Sequence, residues 1–344
     1  MRKKLLIISS IFLTLIFLYF AGGLISSNIV LSNIFDKRMS NLETLLEPEY
    51  KIYKNRDDYN SLNNRIEYDF YSDNNKLKGY YYKNNNSKGL VIACHGMTSQ
   101  ADGMDIAYQN YFFENNYSVF SFDLTAHGRS EGNSISGLHQ AAYDVKACYD
   151  FIFDNKLNEN NIILIGHSLG GYGVAAALNL GVKANYLITF SAFDNPYDTM
   201  VRYSKNSVGD IINLTIPTFN MTTSFKYGDN KNLSASSGIK ESNINSLIIH
   251  GKDDISIPYN DASLYAKVKD YNNVNAILLD DCGHNTPWYS INANNYVKNE
   301  IKSKLEELKN NKKELNDYID TIDKNKTSEL SNVVFDNINK FLNS

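Results

Sequence analysis

Cysteine, histidine and positive charge are all scarce in this 344-residue chain, and each shortage narrows what the protein is. Three cysteines, Cys94, Cys148 and Cys282, are an odd set, which argues against the disulfide framework of a small exported domain. They read as small buried hydrophobes, with Cys282 carrying the alternative of a regulatory thiol because it lies two residues before His284. Lys and Arg number 34 against 38 Asp and Glu, a net charge of -4. Setting aside Arg2, Lys3 and Lys4 leaves -7 for the rest, a balance that disfavours a nucleic-acid partner. The six histidines form no His-Glu-x-x-His or comparable ligand spacing, so neither a metal nor a cofactor is expected. Asparagine runs such as Asn84-Asn85-Asn86 are a compositional bias of surface loops.

Long apolar runs are also missing, with one exception. Arg2-Lys3-Lys4 precede an apolar stretch from Leu5 to Ile25, close to the ~20 residues a helix needs to cross the hydrocarbon core. Ser9, Ser10 and Thr14 are tolerated there because their hydroxyls can bond back to the helix's own carbonyls. The basic cluster stays on the cytoplasmic side, which sets everything after Ile25 on the outer face of the cell membrane as a single-pass protein. A cleaved signal peptide competes, since Ala21-Gly22-Gly23 offers small residues at a suitable place, yet the apolar region exceeds the usual 7–15 residues.

The most informative segment is Ile162-Ile163-Leu164-Ile165-Gly166-His167-Ser168-Leu169-Gly170-Gly171. An apolar run ends in Gly-x-Ser-x-Gly and a small-residue helix follows, a strand–turn–helix that exposes a serine hydroxyl above a sheet. Such a serine needs an acid and then a histidine downstream, each just after a later strand. Of the six histidines only His284 lies late enough, in the loop Asp281-Cys282-Gly283-His284 behind the run Ala276–Asp280. His95, His127, His167 and His250 sit at strand ends or tight turns, where an imidazole satisfies neighbouring backbone groups, and His139 opens a helix in a solvated position. The acid follows Leu247-Ile248-Ile249-His250-Gly251. Asp253 and Asp254 compete there, with Asp254 favoured as the buried partner, Asp253 as its solvated neighbour, and Pro258 starting the next helix.

From about Ile66 onward the chain resembles a serine hydrolase of the α/β-hydrolase superfamily, in its monoacylglycerol-lipase and serine-aminopeptidase branch. Four segments carry the likeness: His95-Gly96-Met97-Thr98 after Leu90–Ala93; Asp123-Leu124-Thr125-Ala126-His127-Gly128-Arg129-Ser130; the serine turn; and the paired loops Gly251…Asp254…Pro258 and Gly283-His284. The second departs from the usual pattern, in which an arginine and a glycine commonly stand where Thr125 and Ala126 are. The resemblance implies a Ser168–Asp254–His284 triad with an oxyanion hole from the backbone N–H groups of Met97 and Leu169. It also implies an acyl-enzyme on Ser168, formed from a small acyl ester or a short peptide.

Along the chain, residues 1–25 are the expected anchor, 26–62 a stalk with a helix packing loosely near the membrane, and 63–344 one hydrolase domain. Ile66–Tyr71 and Leu77–Tyr82 predict an antiparallel hairpin at a sheet edge. Strands then alternate with helices through Leu90–Ala93, Val119–Phe122, Ile162–Ile165, Tyr186–Thr189, Leu247–Ile249 and Ala276–Leu279, which predicts an α/β fold with a mostly parallel sheet covered on both faces. The alternation breaks at about 192–243, where a cap insertion is expected. Its Phe193, Tyr197, Met200, Tyr203, Phe219, Met221 and Phe225, with Trp288 and Tyr289, predict an apolar acyl pocket. Leu330, Val333, Val334, Ile338 and Leu342 mark a closing helix, and the charged segment before it an elongated excursion of that helix. A carboxylic ester is the favoured substrate. An aminopeptidase, with Asp194, Asp198 or Asp210 holding a substrate amine, is the alternative; an acyltransferase and a non-catalytic surface binding domain stand further off.

Overall fold

The computed structural model describes residues 2–344. Each apolar run becomes a strand: β1 (Ile66–Ser72), β2 (Asn75–Tyr82), β3 (Leu90–Cys94), β4 (Ser118–Phe122), β5 (Ile162–His167), β6 (Tyr186–Phe190), β7 (Asn245–Gly251) and β8 (Val274–Leu279). They form one eight-stranded sheet in the order β1-β2-β4-β3-β5-β6-β7-β8. The β1–β2 and β2–β4 pairs are antiparallel and the rest parallel, so β1 takes the edge and β2 lies inside it. This is the mostly parallel sheet that the alternation of runs predicts, in the α/β-hydrolase fold that the resemblance implies.

The strand period of two divides the core. Leu90, Ile92, Cys94, Ile162 and Leu164 face one apolar cluster, and Val91, Ala93, Ile163 and Ile165 the other. The first is covered by helices Gln140–Asp154, Leu169–Ala176 and Ala235–Ser242. The second is covered by Ile106–Glu114 and by Asn332–Leu342, whose Val334, Phe335, Ile338 and Phe341 are buried at helical spacing. Trp288 and Tyr289 belong to this second cluster, on the face away from the cap, so they support the sheet rather than line an acyl pocket beneath the cap.

Two helices, Pro196–Val208 and Ile212–Tyr227, rise between β6 and β7 as the cap, and Ala235–Ser242 returns the chain to the sheet. Phe193, Met200 and Phe219 are buried within the cap and its base, whereas Met221 is 41% and Phe225 91% exposed. The charged tail is three helical pieces rather than one long excursion: Ile291–Tyr296 running through the π turn Val297–Ile301 into Lys302–Leu308, then Lys312–Ile319 and Lys324–Thr327, with Asn311 and Asp323 capping the new starts. Pro258 opens a turn; the helix after β7 starts only at Leu264, capped by Ser263.

The N-terminal segment differs most from its sequence expectation. Its helix runs without a break from Arg2 to Ile34, nine residues past the apolar stretch. Ser27, Leu31 and Phe35 are fully buried, so the start of the expected stalk is packed structure. Leu31 and Phe35 join the cluster that holds Ala126, Leu169, Met200, Phe219 and Ile257. Arg38 then donates to the carbonyls of Gly128, Ser130 and Gly132, and the Ser40 hydroxyl donates to the Ser99 carbonyl at 2.7 Å. Residues 35–40 thus strap the helix to the loops at the carboxyl edge of the sheet.

Candidate active site

The turn after β5 is forced by close backbone approach. A Cβ on Gly170 would lie 2.1 Å from the Cys94 carbonyl oxygen, and one on Gly166 2.5 Å from the Gly170 carbonyl. With both absent, β5 and its helix meet at a corner where Ser168 adopts φ 51° and ψ -115°, a left-handed conformation rare for a side-chain-bearing residue. The Ser168 amide is tied to the Phe190 carbonyl at 2.8 Å, which steadies the strain.

The structure brings together the three side chains singled out in the sequence. His284 Nε2 lies 2.9 Å from Ser168 Oγ, and His284 Nδ1 lies 2.7 Å from Asp254 Oδ2. Asp254 is 3% exposed, while Asp253 is exposed on the surface and its amide donates to the Cys282 carbonyl. The buried carboxylate also accepts from the Ile257 amide at 2.8 Å and has His250 Nε2 at 3.2 Å. Burial works to raise the Asp254 carboxyl, but the hydrogen bonds from His250 and His284 outweigh it and hold the group well below the usual carboxylate range. A permanently ionised Asp254 fixes His284 with its proton on Nδ1, leaving Nε2 free to accept from Ser168.

Of the two amides expected to meet a developing oxyanion, that of Leu169 adjoins this serine, and Gly96, which precedes Met97, lies against His167. Leu169 is the first residue of its helix, so its N–H has no partner within the helix. Met97 follows Gly96, whose carbonyl accepts from the Ser99 amide at 3.1 Å and from His95 Nδ1–H at 2.8 Å. His95 Nε2 accepts from the Leu124 amide at 3.0 Å, so its proton must sit on Nδ1. The orientation of the Gly96–Met97 peptide, and with it the Met97 N–H, is therefore set by a buried neutral imidazole. Burial lowers the His95 pKa to about 4, which keeps the ring neutral.

The remaining histidines hold backbone, as the sequence suggests, with one exception. His167 Nε2–H donates to the His284 carbonyl at 2.8 Å, and His127 contacts the carbonyls of Thr125 and Met97. His139 is the exception: it is 6% exposed, packed against Tyr227 of the cap, and burial lowers its pKa to about 4. Two features were missed in the sequence. Asp105, 1% exposed, lies behind the loops 4.0 Å from His167 Nδ1, and no motif marks it. The second is Phe35, buried and edge-on to Tyr203 of the cap at 6.3 Å, and no motif marks it either.

Two of the three acidic residues considered for binding an amine are otherwise engaged. Asp194 accepts from the Ser234 hydroxyl and the Ser236 amide at 2.8 and 2.7 Å. Asp210 is paired with Lys205 at 2.9 Å on the outer surface of the cap. Asp198 lines a cavity of about 290 Å³ together with Asp194, Asp261, Arg202 and Lys267, and there Arg202 is paired with Asp261. Cys282 is buried, and desolvation pushes its thiol up to about 12, which leaves no reactive thiolate beside His284.

Residues 85–241 match the family model described as serine aminopeptidase, S33. A Mycoplasma pneumoniae protein provisionally named esterase/lipase 2 is 24% identical over 230 residues, spanning 58% of this chain and 83% of that protein. The uncharacterized protein YfhR of Salmonella typhi is 28% identical over 197 residues, covering 54% of this chain and 61% of its own length. Among solved structures, an esterase of Pyrococcus furiosus superposes with a TM-score of 0.50 at 18% identity, over 73% of this chain and 90% of that one. Est1E of Butyrivibrio proteoclasticus, solved with ferulic acid bound, gives 0.50 at 21% identity, over 63% and 90%. At these identities the solved structures speak for the shared fold.

Proposed function

We propose, from the premise that this chain is an α/β hydrolase, that it is a membrane-anchored serine hydrolase cleaving a carboxylic ester through Ser168, His284 and Asp254. The observation that carries the proposal is the unbroken chain of contacts from Ser168 Oγ to His284 at 2.9 Å and from His284 to Asp254 at 2.7 Å. As Ser168 Oγ bonds to the ester carbonyl carbon, its proton passes to His284 Nε2, and Asp254 stabilises the imidazolium. The carbonyl oxygen becomes an oxyanion facing the amides of Met97 and Leu169, where loss of one donor typically costs about 3–4 kcal/mol. Collapse breaks the ester C–O bond and the leaving alkoxide takes the proton from His284. Water then attacks the acyl-enzyme, gives its proton to His284, and Ser168 recovers that proton as the acid departs.

An ester is favoured over an aminoacyl amide because Asp194 and Asp210, two of the three acids that could hold a substrate amine, are tied to other partners. The esterase names among the relatives point the same way. Anchoring is supported by a helix long and apolar enough to span a bilayer, and Arg2-Lys3-Lys4 favour a cytoplasmic N-terminus with the hydrolase domain outside. A fluorophosphonate probe is expected to label Ser168 in the native protein and not in Ser168→Ala, which should also lose ester turnover by about a thousandfold or more. Asp254→Asn should be nearly as damaged and Asp253→Asn close to wild type. Labelling that persists in Ser168→Ala, or faster turnover of aminoacyl amides than of esters, overturns the proposal.

A further inference from the structure

The anchor helix does not end at the membrane; it continues into the cap. Tyr19 Oη–H donates to the Leu214 carbonyl at 2.7 Å, Ser27 Oγ lies 3.4 Å from Thr218 Oγ1, and Asp36 accepts from the Tyr227 hydroxyl at 2.6 Å. Rising numbers on one helix meet rising numbers on the other, so the anchor and the second cap helix run parallel. Gly23 is where they touch: a Cβ there would fall 2.5 Å from Thr218 Oγ1, whereas one on Gly22 would meet nothing within 4 Å.

This pairing sets how deep the cap sits. Leu5 to Phe20 are all exposed, and burial starts only at Gly23. Counting about 20 residues from the basic cluster brings the outer boundary of the hydrocarbon to roughly Tyr19–Leu24, and a tyrosine is the side chain that settles at such a boundary. The start of the second cap helix stands at this level. Around it, the side chains of Val208, Ile211, Leu214 and Ile216 are 41%, 63%, 68% and 36% exposed, an apolar tip open to its surroundings. Its charged pair, Lys205 and Asp210, is mutually neutralised, so apolar contact rather than headgroup charge would hold it.

The geometry points to the outer leaflet of the anchor's own membrane as the occupant of this surface. We propose that the anchor and second cap helix act as one rigid unit that stands Val208–Ile216 in the headgroup–acyl boundary. Leu31 on the same helix and Phe35 just beyond its end are buried in the apolar cluster that holds Leu169, next to Ser168, and Met200 of the cap. Given the esterase reading above, on which this part rests, the substrate is an acyl ester resident in the bilayer, entering along the cap without crossing bulk water.

Full-length protein in phosphatidylcholine nanodiscs tests this. The native cysteines are buried, so an environment-sensitive fluorophore can be placed at Ile211→Cys, Leu214→Cys and, as a distant exposed control, Lys88→Cys. Lipids carrying a spin label at the upper acyl chain should quench positions 211 and 214 by about twofold or more and leave 88 unquenched. Equal fluorescence at all three positions overturns the docking. Independently, Ile211→Glu with Leu214→Glu should lower turnover of a long-chain monoacyl ester in the disc about tenfold, while a short water-soluble ester stays within about twofold. Parallel change of both esters, or of neither, overturns the bilayer route. Wild-type protein that is quenched as expected yet cleaves neither ester leaves the docking standing and removes the esterase reading instead.

Discussion

Asp105 illustrates how much a single buried side chain contributes without appearing in any motif. It accepts from the Tyr108 hydroxyl at 3.0 Å and lies beside His167, which in turn holds the His284 carbonyl. Burial pushes its pKa from 3.8 up to about 7, so the folded protein holds this proton more tightly than the unfolded chain does. The stabilisation is complete below the unfolded value and is lost as pH rises through the folded one. Between about pH 4 and 7 the Asp105→Asn variant should therefore show a flatter fall in unfolding free energy than wild type, the slopes differing by at most about 1.4 kcal/mol per pH unit. Denaturant titrations of the detergent-solubilised protein across that range would reveal it, and superimposable profiles would show that Asp105 does not titrate there. The contrast with Asp254 is physical: both are buried, but only Asp254 has two imidazoles close to its carboxylate.

The anchor helix shows the same dependence on context one scale up. Composition alone gives a span from Leu5 to Ile25, and the helix continues because Leu31 and Phe35 find a core to enter. Gly22 and Gly23 are indistinguishable in sequence, yet only Gly23 faces Thr218. Gly23→Leu should prise the anchor from the cap at a cost of about 1–3 kcal/mol. Gly22→Leu should stay within about 0.5 kcal/mol of wild type. Thermal unfolding of the two variants in detergent separates them, and equal midpoints would mean the helices do not pack as described. The catalytic turn behaves in the opposite manner, since the need for glycine at 166 and 170 is written into the motif itself.

For the whole molecule, the proposed orientation across the membrane rests on three basic residues at one end of a long apolar helix. With the body of the protein outside, as proposed, a cysteine at the exposed position 88 should react with a membrane-impermeant maleimide in intact cells. The protein should also stay with the membrane fraction after alkaline carbonate extraction, as an uncleaved span requires. Labelling only after lysis would reverse the orientation, and release by carbonate would favour a cleaved leader.

Local pattern was enough to specify the strands, the serine turn, the late histidine and the buried member of an aspartate pair. Each depends on periodicity, on glycine where a Cβ cannot fit, or on chain order, and all of these are properties of a segment and its immediate neighbours. The sequence alone left open what lies beneath His139, Asp105, Trp288 and the end of the anchor. His139 is buried because Tyr227 arrives from a cap helix nearly ninety residues away, and Phe35 is buried because Tyr203 does the same. Burial at these positions is set by partners distant in sequence, and only the folded chain brings those partners together.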